Sequence, residues 1–124
     1  MEQFETSVTL HLKAIEKRDF TAFSQCLHPL YPCMIITGDG EIMQGYDAIL
    51  QFHQSWFADD SWRMESRIID SFWADTMGYA LIENTYYETD TAGNPRSQKL
   101  LMSLVFQNID GQWFLRRDQN TPIR

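Results

Sequence analysis

The order of patterns along the chain predicts an α+β fold: a curved antiparallel sheet with N-terminal helices packed on its concave face. Three observations carry this expectation. Helical periodicity fills the opening of the chain and returns once over residues 46–57. Period-two alternation dominates from Trp62 onward, and no strand-helix-strand alternation occurs anywhere.

Taken in order, Phe4, Val8, Leu12 and Ile15 recur at helical spacing with His11 on the same stripe, so residues 3–17 read as an amphipathic helix. Asp19 is an N-cap candidate for a second, short helix, "FTAFSQCL", and Pro29 and Pro32 prevent helix from continuing. "CMIITGDGEIMQG" is apolar and β-branched on both sides of Gly-Asp-Gly, which predicts a hairpin. Residues 46–57 then place Ile49, Phe52, His53, Trp56 and Phe57 on one helical face. Beyond them come strands from Trp62 to about Ala74, through Tyr79 to Tyr87, from Lys99 to Ile109, and from Trp113 to the end. They are joined by turns at "TAGNP" and Asp110-Gly111 as an antiparallel meander.

At 124 residues and 44% hydrophobic, the chain is expected to be one domain over residues 1–124 with one core. Its formal charge of −7 repels phosphate backbones and anionic membrane surfaces, so no nucleic acid and no membrane partner is expected. The opening "MEQFETSVTL" is acidic where a secretory signal is basic, and no stretch approaches a membrane span, which points to a soluble, cytoplasmic protein. Cys26 and Cys33 form no metal or redox spacing and read as free thiols. No metal and no other cofactor is expected, because there is no H-E-x-x-H, no acidic cluster and no close histidine pair.

Packing supplies the first functional expectation. A strongly bent sheet needs its hollow covered, and three short helices are too little material to fill a cone, so a cavity should remain at the open end.

The order of elements, the step "MQGYDAI" from hairpin into helix, and the terminal "DGQWFLRRDQNT" together resemble the nuclear transport factor two-like superfamily in its SnoaL-like, ketosteroid isomerase-like branch. The resemblance spans nearly the whole chain. It implies a cone-shaped α+β barrel of cystatin-like type, a pocket for a small molecule, and a homodimer. Relatives include ketosteroid isomerases, polyketide cyclases and the association domain of calcium/calmodulin-dependent protein kinase. In many such chains histidines stand on the last strand where this one has Arg117 and Gln119. A guanidinium and an amide do not exchange protons near neutral pH, so that acid-base role is not carried over.

Counting by two from Trp113 puts Leu115, Arg117, Gln119 and Thr121 on one face, and a core-facing Trp113 would make this the pocket face. Arg117 and Gln119 are therefore the expected ligand anchors, and a guanidinium there suits a carboxylate or carbonyl group. The alternative is a terminal strand that is polar because it meets solvent. His11 and His53 lie on apolar stripes. A lone buried histidine is most often a packing residue, but two facing one cavity would be candidate catalytic acid-base groups. Tyr46, Trp56, Tyr79 and Glu83 are further ligand-binding candidates, with a cross-strand arginine partner as the competing account of Glu83.

Two functions remain open on these grounds. One is a pocket that binds a small, partly hydrophobic molecule, with isomerase- or cyclase-type proton transfer. The other is a non-catalytic oligomerisation module like the kinase association domain.

Overall fold

The computed structural model describes residues 3–123. The elements follow the expected order: α1 (Phe4–Glu16), α2 (Phe20–Ser24), β1 (Met34–Ile36), β2 (Ile42–Gln44), α3 (Tyr46–Ala58), β3 (Trp62–Trp73), β4 (Met77–Thr89), β5 (Pro95–Ile109) and β6 (Gln112–Pro122). No helix among the described residues is long and apolar enough to cross a membrane.

Local chemistry explains most boundaries. Asp19 caps α2, its Oδ1 accepting from the Ala22 amide at 3.1 Å. The helix stops at Ser24 rather than running to Leu27, and the Cys26 carbonyl is taken instead by the Leu115 amide of β6 at 2.8 Å. The β5–β6 turn is made by Asp110 and Gly111, both at positive φ (53° and 89°), as a two-residue hairpin turn requires.

All six strands form one sheet in the order β2-β1-β6-β5-β4-β3. The four long strands are the predicted antiparallel meander, whereas β1 joins β6 in parallel, an addition the sequence pattern did not reveal. The sheet is an open curl rather than a closed barrel, with β2 and β3 as its edges. The helices cover one face, where Ala80, Ile82, Met102, Leu104, Phe106 and Leu115 meet Phe4, Val8, Leu12 and Phe23 in a single core. Gly78 is part of that fit: a Cβ there would come within 2.4 Å of the Phe4 ring, so the first residue of α1 lies flat on a strand that only glycine leaves bare.

Two bulges bend the sheet and set everything that follows. In β3, Ile68 pairs with Ile82 but Asp70 pairs with Leu81, leaving Ile69 extra. In β6, Leu115 pairs with Phe106 but Arg117 pairs with Val105, leaving Arg116 extra. An extra residue curves a strand and exchanges its two faces from that point on. Met64 and Ile68 therefore pack toward the helices while Phe72 points the other way, beside Tyr79.

Candidate functional site

The hollow that the helices leave uncovered is a cavity of about 360 Å³, within the range of small-molecule sites. Its wall is built by α3 and the end of α1, by β1 and β2 with the turn between them, and by the inner faces of β3 to β6. Met43, Met64 and Met102 give it soft, adaptable sides, and Phe52, Trp56 and Tyr86 give it aromatic ones. Trp56 is held in place by stacking on Trp62, ring centroids 4.0 Å apart, with the Trp62 indole nitrogen donating to the Trp56 carbonyl at 3.0 Å.

The polar end of the wall comes from β6, on the face opposite to the one that simple alternation selects. Beyond the bulge at Arg116, Asp118 and Asn120 line the cavity, and Arg117 and Gln119 are exposed on the outer face. The expected pocket anchors are thus corrected by one residue each. Trp113 and Leu115 do face the core, as the count assumed, but the parity changes between Leu115 and Arg117. Arg116 itself is tied down at the side, its Nε donating to the Pro32 carbonyl at 2.9 Å and its Nη1 to Gln107.

Asp118 is 6% exposed and sits between Ile35 of β1 and Leu104 of β5, its two lateral partners in the sheet. Neither neighbour solvates a charge. Its carboxylate has one hydrogen-bond donor among the described residues: the Asn120 Nδ2, at 3.0 Å from Asp118 Oδ1, which also donates to the Ile36 carbonyl at 3.0 Å. Because both partners are acceptors, the amide orientation of Asn120 is fixed, and it aims the carboxyl group. Burial pushes the Asp118 carboxyl from an ordinary 3.8 up to about 7, with the Asn120 hydrogen bond pulling the other way.

The two histidines differ in kind. His53, on α3, lines the cavity and stacks on Phe23 with centroids 4.0 Å apart. Its Nδ1 donates to the Ile49 carbonyl at 2.7 Å, so Nδ1 carries the hydrogen and Nε2 the lone pair. Burial lowers its pKa to about 4, leaving a neutral acceptor at pH 7. His11 lies behind the wall, fully buried against Phe23 and Phe106, and neither ring nitrogen has a hydrogen-bond partner. Burial first, and the nearby charge of His53 second, lower its pKa to about 3. The two rings do not face one cavity; Phe23 touches both.

Of the other expected contacts, Trp56 lines the cavity and Tyr46 packs against the core at the start of α3. Tyr79 and Glu83 stand on the outer face of β4, alternating with buried Ala80, Ile82 and Asn84. Glu83 pairs with Arg67 at 3.2 Å, the cross-strand arrangement that competed with a ligand role. Asp118 and Asn120 are the polar wall residues that alternation assigned to the wrong side. The signal that contained them, five consecutive hydrogen-bonding side chains from Arg117 to Thr121, was in the sequence; their facing was not.

Known proteins share this architecture. A ketosteroid isomerase-like protein from Erwinia carotovora atroseptica superposes with a TM-score of 0.80 at 15% identity, covering 97% of this chain and 93% of that one. A nuclear transport factor 2-like superfamily protein from Salmonella enterica gives 0.77 at 14%, covering 96% and 87%. The association domain of CaMKII from C. elegans gives 0.67 at 15%, covering 94% and 90%. At such identities the likeness is one of fold. No curated protein sequence matches the chain. A family model described as the SnoaL-like domain matches residues 5–118, nearly the full length, and the chain accordingly belongs to the SnoaL-like domain family.

Proposed function

We propose that the cavity binds a small, partly hydrophobic molecule and that Asp118 moves a proton to or from it, in the manner of an isomerase or cyclase. The observation that carries this is a carboxyl group buried among Ile35, Leu104 and Asn120 in the wall of a cavity lined mainly by aliphatic, methionine and aromatic side chains. A proton carrier is most effective when its pKa lies near the working pH, and about 7 meets that condition where the histidines, at about 3 and 4, do not. In this reading Asn120 positions the carboxyl, His53 offers a neutral acceptor on the wall, and His11 has no chemical part.

The outer face supports a second role that is compatible with the first. Phe72 is 61% exposed, and Tyr79, Met77 and Ile69 are exposed near it on β3 and β4. A partner's sheet would cover such a patch, giving a homodimer in which Tyr79, Glu83, Arg117 and Gln119 serve the surface of assembly instead of the pocket. The kinship in fold with a kinase association domain supports assembly of this kind. The buried Cys33 thiol suits a reducing, cytoplasmic setting.

Exchange of the α-hydrogens of 2-tetralone in heavy water, followed by proton NMR, tests the chemistry on a generic ketone, whatever the natural substrate. Wild type should accelerate exchange, Asp118→Asn should lose that acceleration by about 10²–10⁴-fold, and Arg117→Ala should keep it. Equal rates in wild type and Asp118→Asn would remove the carboxyl group from the reaction.

A further inference from the structure

The charges around the cavity decide what kind of molecule it accepts. Its lining contains two carboxylic acids, Asp118 in the wall and Asp39 on the β1–β2 turn, and, among the described residues, neither lysine nor arginine. The two arginines nearest in sequence are withdrawn by the β6 bulge, Arg116 to the Pro32 carbonyl and Gln107, and Arg117 to the outer face. A carboxylate ligand would enter a low-dielectric space opposite one buried acid and one acid at the mouth, with no counter-charge to offset its desolvation. An ammonium group meets the reverse situation. Asp118 is a counter-ion, and Phe52, Trp56 and Tyr86 supply the π-systems that favour cations over anions. The net charge of −7 biases encounter in the same direction.

We infer that the molecule taken into this cavity is a lipophilic amine, its hydrocarbon body against the methionines and its protonated nitrogen at Asp118. The inference rests on the reading of the cavity as a ligand site, and it adds what that site selects. A cation alongside also draws the Asp118 carboxyl toward its ionised form. No other described group facing Asp118 competes for this role. His53 from α3 is neutral at pH 7, and the Cys33 thiol ahead of β1 is pushed up to about 12 by burial first and by Asp118 second, with Arg116 and Arg117 pulling the other way from outside the cavity lining. Ile35 and Leu104 are apolar, and Asn120 donates only its amide. Asp39, on the β1–β2 turn at the mouth, adds negative potential.

Three molecules of one bicyclic body separate the possibilities: 2-aminotetralin, 2-tetralol and 1,2,3,4-tetrahydro-2-naphthoate, titrated by calorimetry against the intact chain. The amine should bind at least tenfold more tightly than the alcohol at pH 7.5, and the acid least. Amine affinity should fall up to tenfold per pH unit as pH drops below 7, because binding then displaces a proton from Asp118, while the alcohol shows no such loss. In Asp118→Asn the amine and alcohol should bind alike. An alcohol or acid that binds as tightly as the amine to wild type overturns the inference and leaves the pocket reading in place. Failure of all three, and of 2-tetralone, to bind overturns both. The wild-type ranking decides the matter even without the variant.

Discussion

Asp118→Asn should make the protein more stable than wild type at pH 8, by up to ~4 kcal/mol, and leave stability nearly unchanged at pH 4. The direction follows from burial. The folded carboxyl holds its proton up to about 7, whereas the unfolded one releases it near 3.8. Below 3.8 both states are neutral and the stability associated with this group is fully present. As pH rises from there through 7, the unfolded state ionises freely while the folded state is forced to bury a charge, and that stability is lost. Asparagine has the shape of the neutral acid and never ionises. Chemical denaturation of the two proteins at pH 4, 6 and 8 checks the prediction. A variant less stable than wild type at pH 8 would mean that the ionised carboxylate is well solvated in the fold. The same substitution should abolish proton transfer, so stability and function oppose each other at this one residue.

The second large effect is at His11. Replacement by leucine, close to it in volume, should stabilise the protein by about 1–3 kcal/mol at pH 7, because it removes two buried polar atoms that have no partner. Loss of the ring contacts to Phe23 and Phe106 offsets part of the gain. Its pH signature is opposite to that of Asp118. A histidine whose folded pKa is lowered to about 3 contributes stability that is present above 6.5 and lost as pH falls through that window, so the advantage of His11→Leu should widen on acidification. Thermal unfolding at pH 7 and pH 5 reads both the sign and the trend. A His11→Leu protein that is destabilised at both would show that the imidazole is hydrogen-bonded after all. Exchange activity should survive the change, since His11 does not line the cavity.

The order of elements was legible because each local signal agreed with its neighbours: the stripe of Phe4, Val8, Leu12 and Ile15, the cap at Asp19, and the turn at Asp110-Gly111 all appear where the sequence puts them. The cavity was legible for a volumetric reason, since helices of 13, 5 and 13 residues do not fill the curl of four long strands. Facing was legible only as far as the bulges. Alternation is a matter of parity, and one inserted residue inverts it. Ile69 and Arg116 carry no glycine or proline to announce a bulge; each becomes extra because the neighbouring strand, far away in sequence, fixes the register on both sides. The same mechanism moved Phe72 outward and Asp118 inward. The parallel seam between β1 and β6 was hidden for a related reason, since Met34–Ile36 is apolar enough to pair with any open edge.

Residue 118 carries the account, and its carboxyl group can be observed directly. A carbon-13 titration of the aspartate side chains, with Asp118 assigned by comparison with Asp118→Asn, should show the Asp118 carboxyl titrating near 7. A midpoint near ~4 for Asp118 would mean that β6 presents this side chain to water, and the cavity would then have no acid in its wall.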